Sequence, residues 1–196
     1  TQLILKRPKH QTEVDISTVL FQHPHPNVIQ ILDSPNASSI KMKYYTKGDL
    51  FDWMDAQPNI PLPISTVRRF FKSIVTGVAH CHGCGIVHRD LSLENVLLDK
   101  NLNCVISDFD LSCFKGEICT GIVGKLFYVP PEAYTTDLYD GFSADIWSLG
   151  IMLFILLTGI PPFEFAKVAD VRYQYYLKYG LLDGLLKPWK INLPHS

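Results

Sequence analysis

Residues 146–157 put an apolar side chain on every face that a helix could present. Such a helix is stable only when enclosed, so the rest of the chain has to wrap it. The block falls short of the roughly 20 residues that span a bilayer, which points instead to the core of a soluble fold. Enough apolar material is at hand: 47% of the 196 residues are hydrophobic, sufficient for one sizeable core. Within residues 64–81 a second stripe, Val67, Phe70, Phe71, Ile74, Val78 and Cys81, recurs at helical spacing and reads as a core face.

Strand signals are shorter. Residues 28–32 and 39–45 read as two strands around the turn-forming Pro35-Asn36-Ala37-Ser38. Residues 96–98 and 103–106 read as a small hairpin. Cys81-His82-Gly83-Cys84 has the outline of a metal or haem site. Zinc would need two more ligands in register, and haem attachment wants His where Gly85 stands. A net charge of −1 argues against nucleic acid or an anionic membrane as the main partner. Five cysteines, an odd number, and no apolar leader suggest a reducing, cytoplasmic setting.

The chemistry is concentrated in His88-Arg89-Asp90-Leu91-Ser92-Leu93-Glu94-Asn95 and in Asp108-Phe109-Asp110. The hairpin carries Asp108 back beside Asn95, so two carboxylates and an amide can meet in one small volume. Phosphoryl transfer asks for such a set: one carboxylate to take the proton of an attacking hydroxyl, and oxygen ligands for magnesium. In this order the residues resemble the catalytic loop and metal-binding Asp of eukaryotic protein kinases. Pro130-Pro131-Glu132, Asp145-Ile146-Trp147-Ser148-Leu149-Gly150 and Thr158-Gly159-Ile160-Pro161-Pro162-Phe163 are similar to later motifs of that family. His25-Pro26-Asn27 and Gly48-Asp49-Leu50-Phe51 are similar to earlier ones. The resemblance runs from about residue 13 to about residue 186.

It implies an α+β, protein-kinase-like fold with an incomplete β-rich N-lobe (residues 1–45, with the hinge) and a mostly helical C-lobe (residues 46–196). No glycine precedes Gly48, so no phosphate-covering loop is expected. The stop at Pro194-His195-Ser196 comes before the last helices expected of a C-lobe. The activity implied is transfer of the ATP γ-phosphoryl, with magnesium, to a Ser/Thr hydroxyl of a protein substrate. The alternative is a pseudokinase-like or truncated binding module that docks a regulatory partner without transfer. Asp90 would be the proton acceptor, with Asn95 and Asp108 as metal ligands. Met42 falls at the gatekeeper position, Lys43 and Tyr45 would offer backbone groups to adenine, and Leu97 would form its floor. Asp49 would bind ribose or cap the helix beginning near Leu50. Lys6 and Glu13 match the family's ATP-binding Lys and its partner, yet lie so close in sequence that two solvated charges fit better. Thr120 would face Arg89 as a phosphoacceptor, or stay an unmodified loop residue.

Three positions depart from the family. Ser92 stands where a Lys is usual, Lys125 where a Thr is usual, and Asp110 where a Gly is usual. The first two read as an exchange that keeps one cation and one hydroxyl beside Asp90. Asp110 is expected to act through backbone freedom, since Gly tolerates positive φ more readily. Glu132 is expected to be a buried carboxylate without its usual Arg.

Overall fold

In the computed structural model, which describes residues 2–191 and 193, the apolar block lies inside a longer helix, α4 (Gly141–Thr158). The expected stop at Pro194 to Ser196 falls outside the described residues. Asp140 caps α4 by accepting from the Ser143 N–H and hydroxyl. Gly159, at φ 81°, stops it, with its N–H bonded to the Ile155 carbonyl at 2.7 Å. The helix is not enclosed on every side. Leu149, Ile151, Met152, Ile155 and Leu156 are buried, but Ile146 is 59% exposed. Ile146, Leu153 and Leu157 line an open apolar groove of about 420 Å³ that Phe163, Tyr176 and Leu185 border. By length and composition α4 could cross a membrane; 56% of that stretch is buried inside the protein instead.

The second stripe forms α3 (Ile64–Gly83), which buries Val67, Phe70, Ile74, Val78 and Cys81. It packs on α4 and on the hairpin β4 (Val96–Leu98) and β5 (Cys104–Ile106), whose register pairs Val96 with Ile106. Gly77 is the point of closest approach: a Cβ there would lie 2.4 Å from the Asn27 carbonyl oxygen. Asn27 in turn donates from Nδ2 to the Cys104 carbonyl and accepts from the Ile106 N–H, both at 2.9 Å.

That anchoring explains a departure from expectation. Residues 28–32 are not a regular strand, because their backbone bonds are shared between two neighbours. The Ile29 N–H goes to Ile106 of β5, while the Leu32 N–H goes to Lys41 of β2 (Ile40–Lys43). β2 pairs antiparallel with β1 (Leu3–Lys6), register Lys6 to Ile40. Between them comes α1 (Gln11–Gln22), then α2 (Leu50–Asp55) follows β2. β3 (Ile86–Val87) pairs with β6 (Cys113–Phe114). α5 (Val171–Leu181) comes last of the α-helices. One contiguous set of buried side chains, from Ile16 of α1 to Tyr173 of α5, forms the main core.

Candidate active site

The loop after β3 is held from below by Asp145 of α4. This carboxylate, 1% exposed, accepts from the His88 N–H at 2.8 Å, the Arg89 N–H at 2.9 Å and His82 Nε2 at 2.8 Å. Arg89 can then adopt its left-handed conformation (φ 66°), which turns the chain toward Asp90. His88 is buried: its Nε2 donates to the Ser107 carbonyl and its Nδ1 accepts from the Asp90 N–H. The Tyr128 hydroxyl accepts from the Leu93 N–H. Asp90 is thus positioned by backbone bonds on both sides.

Asn95 donates from Nδ2 to the Asp90 carbonyl (2.7 Å) and to Asp90 Oδ2 (2.8 Å). Ser107 donates to the Asn95 carbonyl through its N–H and its hydroxyl, each at 2.9 Å. The next residue, Asp108, therefore emerges beside Asn95, with its side chain 45% exposed. Asn95 and Asp90 are thus bonded side by side, and Asp108 follows directly on the residue that holds Asn95. With Nδ2 of Asn95 occupied, its Oδ1 is the free ligand atom. Among the described residues no group of three or more His, Cys, Asp or Glu side chains forms a self-sufficient metal site. One amide oxygen and one exposed carboxylate suit magnesium, which takes few protein ligands and fills its shell with phosphate and water.

Lys6 and Glu13 are paired, not solvated. Lys6 Nζ lies 2.7 Å from Glu13 Oε1, and Glu13 is 2% exposed. The short spacing suffices because β1 ends at Lys6, and Pro8 and Lys9 lead straight into α1, whose first turn carries Glu13. His10 caps that turn through Nδ1, and the Lys9 N–H donates to Glu13 Oε2 at 2.8 Å. Lys6 also reaches Asp108 (3.2 Å) and pairs with Asp110, while Lys9 pairs with the other Asp110 oxygen. Burial opposes the charge on Lys6, yet its bonds to Asp110 and Glu13, with the Asp108 charge, hold its pKa above the usual lysine value. Burial would likewise raise the Asp110 carboxyl, but Lys6 and Lys9 keep it well below the usual carboxylate range. Asp110 is not among the positive-φ residues; Asp108 is, at 63°. Asp110 thus departs from the family through charge rather than backbone conformation, contrary to expectation.

Lys125 Nζ donates to the fully buried Ser92 hydroxyl at 3.0 Å and lies 3.7 Å from Glu94. It forms no ion pair with Asp90 itself, although it lines the same small cavity. Its neighbour Gly124 passes so close that a Cβ would sit 2.7 Å from Asp90 Oδ1. Met42 and Lys43 lie in β2, where the Lys43 N–H bonds to Gln30. The Tyr45 side chain is buried, and Leu97 is half-buried in β4. Asp49 caps α2 by accepting from the Asp52 N–H at 2.8 Å. Arg89 donates to the Thr120 carbonyl at 3.1 Å, and its Nε has no partner. Glu132 is half-exposed rather than buried, so it carries no large desolvation penalty. The Cys-His-Gly-Cys segment is dispersed: Cys81 is core, where burial pushes its thiol up to about 12, and His82 serves Asp145. The roles of Asp145, Tyr128 and Lys9 were missed in sequence, because each depends on a partner distant along the chain or across a turn.

A buried helix supports the loop through Asp145, Asn95 and Asp108 flank the β4–β5 hairpin, and the Lys6–Glu13 pair reaches Asp108. The Protein kinase domain family matches residues 5–183, and the chain belongs to that family. It is 37% identical over 171 residues to CBL-interacting serine/threonine-protein kinase 24 of Arabidopsis thaliana, covering 84% of this chain and 37% of that protein. It is 39% identical over 145 residues to serine/threonine-protein kinase GIN4 of Saccharomyces cerevisiae, covering 71% of this chain and 12% of that protein. It is 39% identical over 155 residues to NUAK family SNF1-like kinase 2 of Rattus norvegicus, covering 78% and 24%. The chain therefore spans well under half the length of these relatives. The family in general uses ATP and magnesium and acts on protein substrates.

Proposed function

We propose that this chain carries the catalytic site of a protein serine/threonine kinase, with residues 1–45 supplying Lys6, Glu13 and the hinge and residues 46–196 the catalytic groups. The observation that supports it most is the pair of bonds from Asn95 to Asp90, with Ser107, the residue before Asp108, bonded to the Asn95 carbonyl. Asp90 orients the substrate hydroxyl and accepts its proton as the oxygen bonds to the γ-phosphorus and the bond to the β-phosphate oxygen breaks. Asn95 Oδ1 and Asp108 would hold magnesium, which supplies charge compensation on the phosphate oxygens. Lys125, tied to Ser92, replaces the family's cation on this side of Asp90, and Ser92 fixes its ammonium. Backbone groups of Lys43 and Tyr45 would meet adenine, with Met42 as gatekeeper and Leu97 as its floor. The second carboxylate oxygen of Asp49 is left for ribose. Buried free thiols at Cys81, Cys104, Cys113 and Cys119 support a reducing, cytoplasmic location.

The test pairs calorimetric binding of AMP-PNP, with and without magnesium, with phosphorylation of a Ser/Thr peptide. Magnesium-dependent binding should vanish in Asp108→Ala. Lys125→Met should lower kcat by about 100-fold with little change in KM for ATP. Unchanged turnover in Lys125→Met would leave that residue a structural tie. A binding module without transfer is the second reading, favoured by the engagement of Lys6 with Asp108 and Asp110. Magnesium-dependent binding with no phosphorylated peptide would select it.

A further inference from the structure

We propose that Asp110 is a built-in competitor of the nucleotide phosphates for Lys6, and that it fastens α1 onto the Asp108 segment while no nucleotide is bound. The inference rests on the nucleotide-site reading above and extends it to a residue that reading does not use. Three contacts support it. One Asp110 oxygen pairs with Lys6 and the other with Lys9, and the Asp110 carbonyl accepts from His10 Nε2 at 2.7 Å. Lys9 and His10 directly precede α1, and Glu13 in its first turn shares Lys6. A single side chain thus ties β1, the start of α1 and the loop bearing Asp108.

The charges make this tie a competitor. Lys6 and Lys9 face Glu13, Asp108 and Asp110, so the cluster is already net negative before any phosphate enters. A phosphate oxygen that reaches Lys6 must share it with, or displace, Asp110. Glycine at this position would offer no such anion. Asp110 thus holds Lys6 beside Glu13 and lowers phosphate affinity in exchange.

The experiment compares wild type, Asp110→Asn and Asp110→Gly by calorimetry, using magnesium AMP-PNP and, separately, adenosine. Asn keeps the shape and removes the charge; Gly restores the family residue. Both variants should bind AMP-PNP roughly three- to tenfold more tightly. Adenosine, which has no phosphate to compete, should bind equally to all three. Unchanged or weaker AMP-PNP binding in both variants, with wild-type binding intact, overturns this inference alone. An equal gain for adenosine also overturns it, because the effect is then not on phosphate. No AMP-PNP binding by any of the three overturns the nucleotide site and this inference together.

Discussion

Asp145 bears more of the catalytic loop's geometry than any side chain within that loop. It is buried, and it accepts two consecutive backbone N–H groups and one imidazole N–H. Asn at this position would present an amide N–H to one of those donors and remove the charge that strengthens the other bonds. Asp145→Asn should therefore lose about 3 kcal/mol of stability. For a domain of this size that is a fall in melting temperature of roughly 10 °C, read by thermal unfolding without ligand. A melting temperature within a degree or so of wild type would show that the loop is held by other means. At this scale the sequence was legible where chemistry is local. Asp90 and Asn95 stand in one motif and are bonded to each other, and the hairpin's register sets Ser107, the residue before Asp108, against Asn95. Asp145 lies in a different helix, and no spacing rule reports which backbone groups a distant carboxylate will meet. Lys6 and Glu13 were misread for the opposite reason. Their spacing is shorter than a strand end, a turn and a helix entry ordinarily take, and the Pro8–Lys9 connection is short enough to fit it.

Helices were legible from periodicity, and edges of sheets much less so. α3 carries its stripe through the residues expected, because a 3.6-residue period needs no knowledge of neighbours. Residues 28–32 have strand-like composition, but two different partners claim their backbone groups, and composition does not encode that division. Glycine separates the two kinds of information. In α3, Gly77 sits against the Asn27 carbonyl and Ile106, whereas Gly150 in α4 has nothing within 4 Å of its missing Cβ. Alanine favours a helix over glycine by about 1 kcal/mol, so open space decides the sign. Gly150→Ala should stabilise by up to about 1 kcal/mol. Gly77→Ala should destabilise by about 1–3 kcal/mol, as α3 is forced away from the turn at Asn27. Urea midpoints measured in parallel check both. Two shifts of the same sign would refute the close approach at Gly77.

Across the whole molecule, the expectation of an enclosed apolar helix was half met. One side of α4 is buried against α3 and the catalytic loop's supports, while Ile146, Leu153 and Leu157 border a groove. α5 reaches that groove chiefly through aromatic contacts centred on Phe163, whose ring lies 5.1 Å from Tyr173, 6.1 Å from Trp147 and 6.3 Å from Tyr176. The exposed face of α5 adds no cover, with Leu177 and Tyr179 turned outward. Stability should accordingly be graded, high in α3 and low in α5, since local opening follows the density of buried apolar contact. Phe163→Ala removes the shared ring and leaves the groove wider. Truncating such a buried aromatic costs about 3–5 kcal/mol when the loss is global. Here much of it should appear as local release of α5. Amide exchange in Val171–Leu181 should rise toward unprotected rates, while Ile64–Gly83 keeps most of its protection. Equal acceleration in both helices would mean that α5 and the core open as one unit, and that Phe163 belongs to the main core in energy as well as in contact.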